Sequence, residues 1–201
     1  ERGFFEMDIT PVTMPDGTVV STDDGPRAGV TLEAVSQLKP VFREDGRVTA
    51  GNACPLNDGA AAVVVMSRKR AEELGITPLA RVIASSVSAL NPEIMGLGPI
   101  EAIKRVLARA NMTMSDIDLV EINEAFAAQV IPSADELGID MVNQLNVNGG
   151  AIALGHPFGQ TGARIMTTLI NGLQDSDKTF GLESMCVGGG QGMAMVVERL
   201  V

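Results

Sequence analysis

The sequence has no tryptophan, no tyrosine, a single histidine (His156) and two cysteines, Cys54 and Cys186. The cysteines lie far apart and neither sits in a CxxC or other metal-ligand spacing, so a disulfide framework and a zinc site are both unexpected. No apolar run is longer than the seven residues of 60–66, against the about 20 that a membrane-spanning helix needs. Nor does the chain open on a basic segment followed by an apolar stretch, the pattern of a secretory signal. Basic residues are few: Lys plus Arg number 15 against 25 Asp plus Glu, for a net charge of -10. That balance is the reverse of a nucleic-acid-binding face, which works by releasing counterions. These absences argue against membrane and nucleic acid as partners and make a reducing, cytoplasmic compartment the expectation.

What is present is material for a core: 201 residues, 45% hydrophobic, with 22 glycines. At roughly 100 to 200 residues per domain this is one large domain or two small ones. Residues 1–50 are crowded with turn formers, among them Pro15-Asp16-Gly17, Asp23-Asp24-Gly25-Pro26 and Glu44-Asp45-Gly46, and leave room for a short helix only at 30–38. The opening Glu1-Arg2-Gly3-Phe4-Phe5, with no initiating Met, reads as the tail of a helix already under way, as in a piece of a longer protein. From residue 51 onward, to 201, periodic segments alternate. Residues 60–66 have the length of a buried strand, and Ser67 caps a helix that stops at Gly75. A strand is expected at 81–87, an amphipathic helix at 100–110 and a short strand at 119–122. A helix follows at 123–137, broken or kinked at Pro132, then one at 163–173 whose only charge is Arg164. Strands at 179–187 and 193–200 flank Gly188-Gly189-Gly190 as a hairpin-like pair. Strand alternating with helix predicts a layered α/β domain. The charge-poor helix at 163–173 predicts burial on most sides and thus three or more layers.

Three side chains of complementary chemistry stand at junctions between these elements. His156 lies in a glycine-framed loop followed by Pro157, ahead of the buried helix. The ring either packs as a loop residue or is aimed at a ligand, and a nearby helix N-terminus favours its neutral form. Cys186 ends a strand and precedes Val187-Gly188-Gly189-Gly190-Gln191-Gly192. It is either an inert buried thiol or an acid/base beside amides able to stabilise an oxyanion. Asn123 is either the N-cap of the helix that follows or an amide holding a water or carbonyl at the mouth of the sheet. Glu124 reads as a first-turn acid placed by the helix dipole. Together Asn123, His156 and Cys186 suit acyl chemistry at a thioester, where an enolate oxygen needs donors and a thiol moves a proton.

Asn-Glu-Ala-Phe-Ala at 123–127, Gly-Gly-Ala-Ile-Ala-Leu-Gly-His-Pro at 149–157 and Cys-Val-Gly-Gly-Gly-Gln-Gly at 186–192 resemble, in order, three C-terminal signature blocks of the thiolases. Gly51-Asn52-Ala53 with Asn57-Asp58-Gly59-Ala60 resembles a fourth. The resemblance covers essentially the whole chain but only the C-terminal half of a thiolase, with the end of its loop domain at 1–50. It implies a layered α-β-α-β-α fold to which this chain supplies the C-terminal mixed-sheet half. By the same resemblance, His156 activates a nucleophilic cysteine and Cys186 is the acid/base at the α-carbon. Asn123 holds an oxyanion-hole water and Gly188 donates to a second oxyanion hole. Contacts to coenzyme A, a substrate here rather than a cofactor, fall on Ala50, Ala53, Cys54, Met95, Ala125 and Phe126, with Arg27 near the nucleotide end. Position 54 is Cys where the family often has Ser. No metal or redox cofactor is implied. No residue here matches the family's nucleophilic cysteine, so the resemblance implies an N-terminal half as partner, an isolated chain without activity, and a complete enzyme that is a homodimer or tetramer. The rivals are a decarboxylating condensing enzyme, against which Cys186 argues, and a non-catalytic acyl-CoA- or lipid-binding module.

Overall fold

The computed structural model describes residues 3–201. Its frame is a four-stranded mixed sheet in the order β3-β6-β5-β4, formed by β3 (Ala80–Ala89), β6 (Gln191–Arg199), β5 (Phe180–Val187) and β4 (Leu119–Ile122). β5 and β6 form the expected hairpin over residues 188–190, β3 pairs antiparallel to β6, and β4 runs parallel to β5 with Ile122 opposite Ser184. The outer edge of β4 is closed by residues 144–146. The Val120 amide donates to Gln144 O (2.8 Å) and the Asn146 amide to Val120 O (2.8 Å). The Asn146 carboxamide then continues the ladder as a peptide would, accepting from the Ile122 amide (2.9 Å) and donating to Ile122 O (3.0 Å).

Alternation of side chains along the strands feeds two apolar clusters, one on each face. Val120, Ile122, Leu182, Ala194 and Val196 meet α3 (Gly98–Ala110) and α4 (Ala127–Leu137) through Ala102, Ile103, Val106, Val130 and Ala134. Leu119 and Val197 meet α6 (Thr161–Asp175) through Met166, Leu169 and Leu173 on the opposite face. The result is the three-layer arrangement that the low charge of α6 predicts. Two serines of β3 lock α3 in place: Ser86 Oγ donates to Ala102 O (2.6 Å) and Ser88 Oγ to Gly98 O (2.8 Å). Gly98 and Gly192 face each other where α3 starts, so close that a β-carbon on either would overlap the backbone of the other segment.

The helix signals hold where a short-range mechanism sets them. Thr31 caps α1 (Leu32–Ser36), and Ser67 caps α2 (Arg68–Leu74), which ends on left-handed Gly75. Residues 12–20 form a small ribbon of β1 (Val12–Thr13) and β2 (Val19–Val20) around Pro15-Asp16-Gly17. Of the helix tail expected at 1–5, residues 1 and 2 lie outside the described residues, and Phe4–Met7 forms a single 3-10 turn. α4 begins at Ala127, four residues later than expected, and passes Pro132 without interruption.

A further expectation fails. Residues 60–66 join no strand ladder, and Val64 and Val65 are 85% and 80% exposed. An apolar run has strand character only where a second strand accepts its backbone groups, and none of the described residues does so here. The α6 face of the sheet is open at its β3 side as well, where Val82, Val87 and Met193 are about half-exposed.

Because α3 sits on β6 at the width of a glycine pair, Gly98→Ala is expected to cost about 3 kcal/mol, whereas Gly159→Ala, with open space around the added carbon, should cost within about 0.5 kcal/mol. The urea midpoints of the two variants provide the check.

Candidate functional site

Asn123 and Cys186 stand at the carboxyl ends of the two parallel strands. The Asn123 amide donates to Ser184 O (3.0 Å), extending the β4–β5 ladder by one residue, and Cys186 is the penultimate residue of β5. Asn123 is 1% exposed, and neither its Oδ1 nor its Nδ2 has a hydrogen-bond partner among the described residues. It is not the N-cap of α4. That position is Phe126, in extended conformation and without a side-chain cap, so the structural role open to Asn123 in the sequence falls away. A buried, unpaired carboxamide costs on the order of 1–3 kcal/mol and is the kind of group that an ordered water or a ligand satisfies.

The Cys186 thiol is buried, and burial raises its pKa, outweighing a backbone hydrogen bond that lowers it, with a smaller upward push from the neighbouring Cys54 thiol. It is therefore a protonated thiol at neutral pH. Cys54 reaches this end of the sheet because residues 52–54 pair with the start of the α4 segment. The Cys54 amide donates to Ala125 O (3.1 Å), the Ala127 amide to Asn52 O (2.9 Å), and Ala53 bridges to Phe126. Burial raises the Cys54 pKa too.

His156 follows the short α5 (Ala151–Leu154) and left-handed Gly155, and precedes α6. Its amide donates to Asn57 Oδ1 (3.0 Å), and Gly155 is packed so tightly on Asn57 that a β-carbon would overlap the carboxamide. The His156 ring stands 5.0 Å from that of Phe158, and its Nδ1 lies 2.7 Å from Thr161 Oγ1. A cleft of about 390 Å³ opens between Leu56, Asn57, Asp58, His156 and Phe158. Burial and then the charge of Arg164 lower the His156 pKa, so the ring is neutral. Neutrality was expected from the helix N-terminus; the causes found are desolvation and a neighbouring cation.

The remaining candidates are distributed unevenly. Ala53, Cys54, Ala125 and Phe126 share the paired segment just described. Met95 is half-buried in the 3-10 segment Pro92–Leu97, whose Gly96 rests on Gln129 of α4. Ala50 is exposed just before the paired segment, Arg27 is exposed on the irregular N-terminal stretch, and Gly188 is exposed at the β5–β6 turn. Glu124 is no free base: Asn146 Nδ2 (2.8 Å) and the Ile152 amide (3.1 Å) both donate to its carboxylate, which anchors the loop leading to His156. Among the described residues, no group of three or more His, Cys, Asp or Glu is placed to hold a metal ion, and no helix is long and apolar enough to cross a membrane.

The family model described as thiolase, C-terminal domain, matches residues 76–199, and that for the thiolase N-terminal domain matches residues 1–69. The chain belongs to the thiolase family. It is 50% identical over 204 residues to an acetyl-CoA acetyltransferase of Thiocystis violacea, covering 100% of this chain and 52% of that protein. Among solved structures, it superposes on the acetyl-CoA acetyltransferase of Bacillus anthracis with a TM-score of 0.95 at 47% identity, covering 98% of this chain and 51% of the other. The human mitochondrial 3-ketoacyl-CoA thiolase in complex with CoA gives a TM-score of 0.91 at 40% identity, covering 98% and 50%. The thiolase chain thus spans about half the length of the relatives it matches.

Three further residues shape this candidate site. Asn57, quoted only as part of a motif, holds the His156 backbone; Thr161 contacts the ring; Phe42 stacks edge-on against Phe126, 6.0 Å between centroids. Their partners are remote in sequence, so only Thr161, five residues from His156, carried a local signal.

Behind the site, on the α6 face, Glu121 and Glu183 stand directly opposite each other in β4 and β5. Desolvation pushes both carboxyls up to about 8, the nearby Arg164 guanidinium partly offsetting this for Glu121. The two Nη atoms of Arg164 are buried with no hydrogen-bond partner among the described residues. A glutamate held to about 8 in the fold and at an ordinary value when unfolded contributes fully below about pH 4.5, and that contribution fades as pH rises through 8. Urea unfolding should therefore show stability falling as pH rises from about 5 to about 8, with Glu121→Gln making the fall shallower.

Proposed function

We propose that this chain is the C-terminal half of an acyl-CoA thiolase, which cleaves a 3-oxoacyl-CoA with free CoA or, in reverse, condenses two acyl-CoA molecules. The observation that carries this reading is the buried Asn123 carboxamide without a partner, at the end of β4 and one strand from the buried thiol of Cys186. A binding module has no need to bury an unsatisfied amide beside a proton-bearing thiol. An enzyme that must stabilise an enolate and then protonate it needs both.

In thiolysis the nucleophile is a cysteine of the N-terminal half, and His156 takes its proton. The thiolate adds to the 3-oxo carbon, and cleavage of the bond between C2 and C3 leaves an acyl-enzyme and the enolate of acetyl-CoA. A water held by Asn123, together with the imidazolium proton of His156, donates to the enolate oxygen. Cys186, protonated at the outset, delivers its proton to C2. Acetyl-CoA leaves, Cys186 recovers a proton from the incoming CoA thiol, and the CoA thiolate takes the acyl group as the carbon–sulfur bond to the nucleophilic cysteine breaks and that cysteine regains its proton from His156. The tetrahedral oxyanion of that transfer is met by the Gly188 amide. Ala53, Cys54, Met95, Ala125 and Phe126 flank the thiol arm, with Ala50 and Arg27 toward the nucleotide.

The N-terminal half is the proposed partner. It would cover the exposed run 60–66 and the open part of the sheet at Val82, Val87 and Met193, both apolar surfaces that a stable chain in water would not leave bare.

The test is thiolysis of acetoacetyl-CoA by the 201-residue chain alone and after assembly with the N-terminal half. Activity is expected only in the assembly. Asn123→Ala is expected to lower kcat by roughly 100-fold to 1000-fold, the loss seen when one oxyanion donor is removed, and Cys186→Ala at least as much. An assembly that keeps its rate with His156→Ala would defeat the proposal. In the reverse, condensing direction Cys186 first returns its proton to the departing CoA thiolate, so both directions start from the thiol form that burial favours.

A further inference from the structure

A neutral histidine can act as a base only through the ring nitrogen without a proton, so the tautomer decides whether His156 works. We propose that Thr161 is a positioning residue that fixes His156 as the Nδ1–H tautomer and thereby presents the Nε2 lone pair for proton transfer. This rests on the role of base given to His156 above.

The argument follows one hydroxyl proton. Thr161 is fully buried, and its Oγ1 stands 2.7 Å from His156 Nδ1 and 3.0 Å from Pro157 O. Turned toward Nδ1, the proton would leave two oxygens facing each other at 3.0 Å with no hydrogen between them, a repulsive contact. Turned toward Pro157 O, it makes both contacts hydrogen bonds, provided that Nδ1 carries the hydrogen. The chain then reads Nδ1–H to Oγ1–H to carbonyl, each bond polarising the next. Burial excludes a water that could reorient the hydroxyl.

Pro157 O is itself immobile, because it also accepts the amides of Gln160 (3.0 Å) and Thr161 (3.2 Å) at the start of α6. The ring also packs on that of Phe158, and its backbone is held by Asn57. Triad enzymes orient their base with a third group, usually a carboxylate. Here a neutral hydroxyl and a carbonyl do so, next to the cation of Arg164. That combination settles the tautomer while stabilising the imidazolium less than a carboxylate would, so the proton taken by Nε2 is readily given back.

His156 is the only histidine of the chain. With 15N-histidine in this chain alone, assembled with an unlabelled N-terminal half, nitrogen NMR reads a single imidazole. The expected spectrum has a pyrrole-type Nδ1 and a pyridine-type Nε2. Thr161→Val removes the hydroxyl but leaves Pro157 O with its two amide donors, so no buried acceptor is orphaned. The tautomer should move toward the Nε2–H form that free histidine prefers, and kcat should fall roughly 10-fold to 100-fold. Thr161→Ser, which keeps the hydroxyl, should restore both. A wild-type spectrum with the proton on Nε2, or a tautomer unmoved by Thr161→Val, overturns the proposal. A tautomer that shifts while thiolysis is unchanged upholds the role of Thr161 in fixing the ring and defeats instead the reading of His156 as the base.

Discussion

The parallel pairing of β4 with β5 is the constraint on which the rest of the structure depends. It sets Ile122 opposite Ser184 and carries Asn123 one hydrogen bond further along the ladder, so the amide and the Cys186 thiol end on neighbouring strands. It also brings Glu121 opposite Glu183 and fixes the groove into which residues 52–54 pair against 125–127. A slip of one residue would turn Val120 and Ile122 from the α3 face to the α6 face. The apolar patterning of both cores therefore holds the site in register. Parallel pairing needs a long crossover, and the chain between Ile122 and Phe180 is that crossover. It contains α4, the His156 loop and α6, so the connection demanded by topology also carries the third functional side chain.

A common electrostatic theme runs through the site: burial shifts each of its titrating groups toward the neutral form. Burial keeps the Cys186 thiol and the two glutamates protonated and the His156 ring unprotonated. For proton-transfer chemistry this is a useful resting state, because a neutral base and a neutral acid can each react once without first being desolvated. The Arg164 guanidinium stands among them and lowers the pKa of Glu121 and of His156 alike.

Much of this was legible in the residue order. Ser67 and Gly75 delimit α2 because an N-cap and a left-handed C-cap are local events, complete within a few residues. The apolar stripe of α3, the β5–β6 hairpin and the buried character of α6 likewise follow from periodicity and composition over short windows. The signature blocks at 123–127, 149–157 and 186–192 identified the family because they gather several demanding backbone and side-chain requirements in order. Residues 60–66 show the limit. Their composition is that of a strand, but strand formation needs a partner, and a pattern in one segment says nothing of whether a second segment is at hand. Asn123 shows another: its residue type suits a helix cap, yet the helix starts after Phe126 because residues 123–126 are held by Ser184, Ala53 and Cys54 instead.

By itself, then, the amino-acid order determined the family, the α/β class, most of the element boundaries and the choice of Asn123, His156 and Cys186 as candidate site residues. All of these are written in short-range pattern or in residue chemistry. Only the tertiary structure decided that Asn123 is an orphaned buried amide and not a cap, that Glu124 is an anchor, and that Asn57 and Thr161 hold His156 from two sides. Each of those outcomes depends on which distant atoms compete for the same donors and acceptors and on how much water is left among them. Those are properties of packing in three dimensions, to which sequence spacing is blind.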